Sequence, residues 1–289
     1  MTTMPVRDVS LFVKVVGEGY PLLIMHGGPG ADHTSMRPFQ ACADQFTVVF
    51  YDHRCNGRST GADVSTMTWD NLTADAEALR QTLGFDRWAV LGHSFGGMVA
   101  LAYALRYPQS VSHLVLLDTC GDIRWAHEKA PEILARRGYS PETVTLARRF
   151  LNGQIEPKEM MPALMKLGKA YNPHLSLIQL PRLIASGLRA KVRPEALIFG
   201  ARHSLRGWTV MERLGEVTAP TLVMAGRDDF QFPPEHQEEL AAGIRGARLK
   251  IIERAGHNAH LERPDEVMAA VRTFMATGNP AGPQKEDRL

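Results

Sequence analysis

The stretch Gly92-His93-Ser94-Phe95-Gly96 lies between an apolar run, Trp88-Ala89-Val90-Leu91, and a helix-patterned segment from Met98 to Tyr107. A serine between two glycines at a strand-to-helix junction confines the chain to a sharp turn, because glycine lets the neighbouring backbones close tightly. Such a turn presents the serine hydroxyl above a sheet edge as a nucleophile elbow. The short pattern also fits ordinary turns, so its weight depends on the residues further along the chain.

Those residues come in the right order. Gly226-Arg227-Asp228-Asp229 stands after the strand-like Thr221-Leu222-Val223-Met224-Ala225, and Ala255-Gly256-His257 stands after Leu249-Lys250-Ile251-Ile252. Serine, aspartate and histidine each lie just past a strand, in an order that separates this arrangement from the other two serine-triad orders. A serine hydroxyl needs an adjacent base, and the base needs a carboxylate to fix its tautomer. The candidates are Ser94 as nucleophile, His257 as base and Asp229 as acid. Asp229 is preferred to its neighbour Asp228 because it stands three residues after Gly226 and four before Pro233; Asp118, at the end of the strand-like Leu114 to Leu117, is the alternative acid. The loop His26-Gly27-Gly28-Pro29-Gly30 offers backbone donors for a developing oxyanion. The N–H of Gly28, with Gly27 as the alternative, and that of Phe95 are the candidates, and His26 is expected to orient the turn.

Valine-rich Val9 to Val16 and the apolar runs Leu22 to Met25 and Phe46 to Tyr51 read as strands, the first two joined by the turn Gly17-Glu18-Gly19. Trp69 to Leu83 has helical spacing and stops at Gly84. Strands alternating with helices predict a mostly parallel central sheet with helices on both faces. The alternation breaks between about Gly121 and Thr218, where helices are expected at Ile123 to Arg137, Pro141 to Leu151 capped by Ser140, and Pro157 to Tyr171. The organisation is therefore a core of 1–120 and 219–278, a helical cap of 121–218 and a mobile tail of 279–289.

Composition excludes several classes. A net charge of +2 and the lack of any basic run argue against nucleic acid, and no apolar stretch is long enough for a membrane span. The start lacks the apolar core of a signal peptide, which makes a cytoplasmic protein the expectation. Three cysteines without paired spacing suggest free thiols. His257 and His260 have no third ligand at a recognisable spacing, and no Walker or GxGxxG pattern occurs, so neither metal nor cofactor is expected. Residues 121–219 hold 16 Lys and Arg against 9 Asp and Glu, leaving 17 against 22 elsewhere. That bias reads either as a solvated surface or as attraction of anionic substrates.

Together with Asp52-His53-Arg54-Cys55-Asn56-Gly57-Arg58-Ser59, similar to a D-x-R-G-x-G-x-S loop, these motifs resemble the α/β-hydrolase superfamily and within it the proline iminopeptidase-like branch. The resemblance spans nearly the whole chain and implies the α/β-hydrolase fold, a helical cap and the Ser94, Asp229, His257 triad. His93 and Phe95 in the elbow, and Cys55-Asn56 in the loop, depart from the usual iminopeptidase pattern. That branch also needs carboxylates for a substrate ammonium; Glu128, Glu132, Glu156, Glu159 and Glu195 are the candidates. The expected reaction is hydrolysis of a small ester, lactone or reactive amide through an acyl-enzyme. An aminopeptidase releasing N-terminal proline and a slow-turnover ligand receptor are the alternatives. Trp125, Phe150, Met160, Met161, Met165, Phe199 and Trp208 are candidates for an acyl pocket or plain core. Oligomeric state is not legible.

Overall fold

The computed structural model describes residues 2–177, 179 and 187–277. The proposed tail, 279–289, lies outside them. Eight strands form one sheet: β1 (Thr2–Val6), β2 (Val9–Val16), β3 (Tyr20–Met25), β4 (Phe46–Tyr51), β5 (Trp88–His93), β6 (Val111–Leu117), β7 (Thr221–Gly226) and β8 (Arg248–Ile252). Their order is β1-β2-β4-β3-β5-β6-β7-β8. β2 runs antiparallel to β1 and β4, and every pairing from β4 through β3 to β8 is parallel.

The central strands are buried on both faces, as parallel strands covered by helices must be. Leu23 and Met25 of β3 join the cluster beneath α1 (Trp69–Thr82) and α2 (Phe95–Arg106). Leu22 and Ile24 face the opposite cluster, which Met36 and Phe39 of a 3-10 segment (His33–Asp44) also fill. The odd-even alternation of one strand thus builds two cores.

The stretch between β6 and β7 is helical. It holds α3 (Ile123–Arg136), α4 (Pro141–Leu151), α5 (Met160–Tyr171) and α6 (Pro194–Phe199). Ser140 caps α4 as expected, its side chain accepting from Thr143 N–H. Apolar faces of α3, α4 and α5 form their own cluster with Phe230. At its base the two ends of the stretch are stitched together: Ile123 N–H donates to Trp208 O (3.1 Å) and Val210 N–H to Gly121 O (2.8 Å). Three more helices, α7 (Pro234–Gly243), α8 (Ala259–Glu262) and α9 (Pro264–Ala276), lie in the last third of the chain.

β1 is not among the strands that the sequence pattern predicts. Its polar opening and Pro5 disguise it, and it exists as the edge partner of β2, where proline is tolerated.

Candidate active site

Ser94 sits between β5 and α2 with φ 52°, a left-handed conformation that costs about 1–3 kcal/mol for a non-glycine residue. The strain is held from both sides. Ser94 N–H donates to Leu117 O (3.0 Å), while Ser94 O accepts from Thr119 Oγ1 (2.7 Å) and from Gly97 N–H (2.9 Å). The flanking glycines are sterically required: a Cβ on Gly92 would meet Gly96 O at 2.3 Å, and one on Gly96 would meet Met25 O at 2.3 Å. The elbow and the loop after β3 are therefore in backbone contact.

The other two candidates converge on this serine from loops after β7 and β8. His257 Nε2 lies 3.0 Å from Ser94 Oγ, and His257 Nδ1 lies 2.8 Å from Asp229 Oδ2. All three are buried. Asp229 Oδ1 accepts from Gln231 N–H (2.8 Å), which fixes the carboxylate plane. Nδ1–H therefore faces a carboxylate, and Nε2 is left to accept from the serine hydroxyl.

Asp118, the alternative acid, makes no hydrogen bond to His257. Its oxygens accept from Gly226 N–H (2.8 Å) and Ala259 N–H (3.1 Å), so it ties together the two loops that carry Asp229 and His257. Burial, and next the charge of Asp229, push its carboxyl well above the usual range. Asp228 is turned away and meets His174 Nε2 (2.6 Å).

Gly28 lines the cavity above Ser94, and Phe95 opens α2, where backbone donors and the helix dipole favour negative charge. Gly27 passes close to the serine as well, since a Cβ there would stand 3.3 Å from Ser94 Cβ. His26 orients the turn as expected: its Nδ1–H donates to Gly27 O (2.7 Å) and its Nε2 accepts from His53 N–H (3.1 Å). Gly30 N–H donates to Asn56 Oδ1 (2.5 Å), so Asn56 in the Asp52–Ser59 loop braces the same turn.

The cavity has a volume of about 320 Å³. Its walls are mostly apolar, with Phe150, Leu151, Leu164 and Tyr171 on one side and Leu197 and Leu205 on another. No aspartate, glutamate, lysine or arginine lines it among the described residues. The five glutamates considered for an ammonium site are absent from this lining, and Glu132 and Glu159 are paired with Lys129 and Arg149. Of the seven apolar residues weighed as acyl pocket or plain core, Phe150 alone lines this cavity. Met161 and Met165 are exposed, Trp125 packs on His236, Phe199 on His203 and Trp208 on Trp69, while Met160 is plain core.

Two buried groups bring metal-ligand types together: His93 with Asp118 and His260, and Asp32 with His33 and Asp52. Several of their polar atoms bond within the protein, while Nδ1 of His93 and Nδ1 of His260 have no hydrogen-bond partner among the described residues. His93 Nε2 bonds His257 O (2.9 Å), His260 Nε2 bonds Ser35 O (3.2 Å), and Asp52 accepts from His33 N–H (2.9 Å) and Arg58 N–H (2.7 Å). Sequence reasoning missed Thr119, and also Gln237, whose Nε2 donates to Thr119 O (2.7 Å). No local pattern marks either, because their partners are 25 and 118 residues away.

An eight-stranded, mostly parallel sheet bearing a strained serine at its strand-to-helix elbow defines the class: the chain belongs to the alpha/beta hydrolase fold family, whose model matches residues 20–264. Among particular proteins, it is 28% identical over 273 residues to a proline iminopeptidase of Saccharolobus solfataricus, covering 91% of this chain and 86% of that one. It is likewise 28% identical over 282 residues to a 2-hydroxy-6-oxo-6-phenylhexa-2,4-dienoate hydrolase of Comamonas testosteroni, covering 90% of each. The crystal structure of the Mycobacterium smegmatis proline iminopeptidase superposes with a TM-score of 0.78 at 26% identity, covering 96% of this chain and 98% of the other.

Proposed function

We propose that this chain is a serine hydrolase, of carboxylesterase or lactonase type, cleaving a small ester, lactone or reactive amide through an acyl-enzyme. The observation that carries this reading is the continuous relay from Ser94 Oγ through His257 to Asp229, opening on an apolar cavity. Ser94 attacks the carbonyl carbon while His257 Nε2 takes its proton. Asp229 holds the imidazole in the accepting tautomer and offsets the imidazolium charge. The N–H groups of Gly28 and Phe95 receive the oxyanion; each such donor typically lowers the barrier by about 2.7–4 kcal/mol. His257 then delivers the proton to the leaving group, and water repeats the sequence on the acyl-enzyme.

Residues 1–120 and 219–278 act in this reading as the catalytic body, with 121–218 as the cap that selects the acyl group. The uncharged lining favours neutral acyl groups, so the positive bias of the insertion acts outside the cavity. Several of the similar proteins are proline iminopeptidases, which supports a second reading, release of N-terminal proline. The lack of a lining carboxylate for the substrate ammonium weighs against it.

The test is hydrolysis of p-nitrophenyl acetate and butyrate beside proline and alanine p-nitroanilides, with wild type and Ser94→Ala. Ester cleavage abolished by the substitution, with the anilides untouched, is expected. Rapid release from proline anilide would establish the iminopeptidase instead. Ester cleavage undiminished in Ser94→Ala would refute both.

A further inference from the structure

Glu262 ends the short helix α8, five residues past His257, and takes no part in the relay described above. The residue is only 4% exposed, and no arginine or lysine is bonded to it among the described residues. Each of its oxygens is committed to a backbone donor. Oε2 accepts from Gly256 N–H, the residue immediately before His257, and Oε1 accepts from His174 N–H, both at 2.5 Å. A buried carboxylate that spends both oxygens on two backbones from distant parts of the chain fixes their separation.

The segment it holds is the strap Asn172-Pro173-His174 leaving α5. Pro173 lies directly on Gly256, where an added Cβ would stand 2.4 Å from Pro173 Cδ. On the other side of His257, Asn258 Nδ2 donates to Asn172 Oδ1 (3.1 Å). The strap also reaches the acid loop, with His174 Nε2 2.6 Å from Asp228 Oδ2, and Tyr171 just before it sets its ring edge-on to the His257 imidazole at 5.3 Å. Three consecutive residues of the insertion thus grip the loops that carry the base and the acid.

From this juxtaposition we infer that Glu262 is a positioning residue: it couples the seat of the insertion to the placement of His257, so that the base is aligned only when the strap is docked. The inference rests on the serine hydrolase reading and extends it to a residue outside the relay.

Glu262→Gln keeps one acceptor and sets an amide donor against the other backbone N–H. The measurement is ester turnover of the full chain, normalised to the sites that a fluorophosphonate labels at Ser94, together with the low-field proton resonance of His257 Nδ1–H. Turnover per labelled site should fall about 10- to 100-fold, as expected for a reacting group displaced on the ångström scale, mostly in kcat and with the resonance shifted or lost. Gly256→Ala, which pushes Pro173 away while leaving Glu262 intact, should move both readouts the same way and serves if Glu262→Gln does not fold. Turnover per labelled site within about twofold of wild type, with the resonance unmoved, overturns the inference whatever happens to stability. Failure of fluorophosphonate to label Ser94 would overturn the serine hydrolase reading itself.

Discussion

Two buried aspartates stand behind His257, and substituting each with asparagine should have different consequences, one for turnover and the other for stability. In Asp229→Asn, the side chain can keep its acceptor toward Gln231 N–H and presents an amide donor to His257 Nδ1. The imidazole must then carry its proton on Nε2, where it can no longer accept from Ser94 Oγ at 3.0 Å. Loss of the correct tautomer in such a relay costs about 10,000-fold in kcat, or about 5.5 kcal/mol. In Asp118→Asn, only one of two backbone acceptors is lost, toward Gly226 or Ala259. The cost is a stability change of about 1–3 kcal/mol. Turnover of p-nitrophenyl butyrate per fluorophosphonate-labelled site, alongside urea unfolding, measures both. Equal losses of kcat in the two variants would refute the assignment of roles, as would an Asp229→Asn enzyme retaining more than about one hundredth of wild-type turnover.

Buried neutral histidines should make the fold acid-sensitive. Burial lowers His236 from the ordinary 6.5 to about 4 and His260 to about 3. Their folded values lie below their unfolded ones, so stability is fully present above pH 6.5 and is lost on acidification toward the folded values, by about 2 kcal/mol for the pair between pH 6 and pH 5. Urea midpoints at those two pH values should show at least that loss, and His236→Gln should remove about 1 kcal/mol of it; identical pH slopes in wild type and variant would contradict the account. Gly168 lies inside α5, lines the cavity, and has no atom within 4 Å of an added Cβ. Gly168→Ala should therefore raise stability by about 0.5–1 kcal/mol through helix propensity, while narrowing the cavity enough to favour acetate over butyrate. A lower melting temperature would show that the helix needs that glycine.

Local patterns make the sheet and the elbow legible. Leu22 to Met25 announces a strand by composition, and Gly92, Ser94 and Gly96 carry a steric requirement that can be stated from the chain alone. Asp229 is separable from Asp228 by spacing, and the structure indeed turns Asp228 toward His174. The features that escape depend on partners outside their own segment. β1 becomes a strand through β2, and Thr119 and Glu262 matter through bonds to Ser94 and to the Asn172–His174 strap. Which apolar side chains of the insertion line a cavity and which are plain core stays open in the sequence for the same reason. Large side chains such as Met165 and Trp208 advertise apolar surface, but which way a helix turns that surface is fixed by packing, which leaves one exposed and stacks the other on Trp69.

The stitching of Gly121 and Ile123 to Trp208 and Val210 has a consequence for how the chain can change. Because departure and return lie one ladder rung apart, everything between them can lengthen, shorten or be replaced without moving β6 or β7. Insertions and deletions there leave the spacing of the sheet untouched. A transplanted segment must still bring a donor for Glu262 and an acceptor for Asn258, and those few bonds, more than the length of the graft, set which exchanges leave an enzyme and which leave only a folded core.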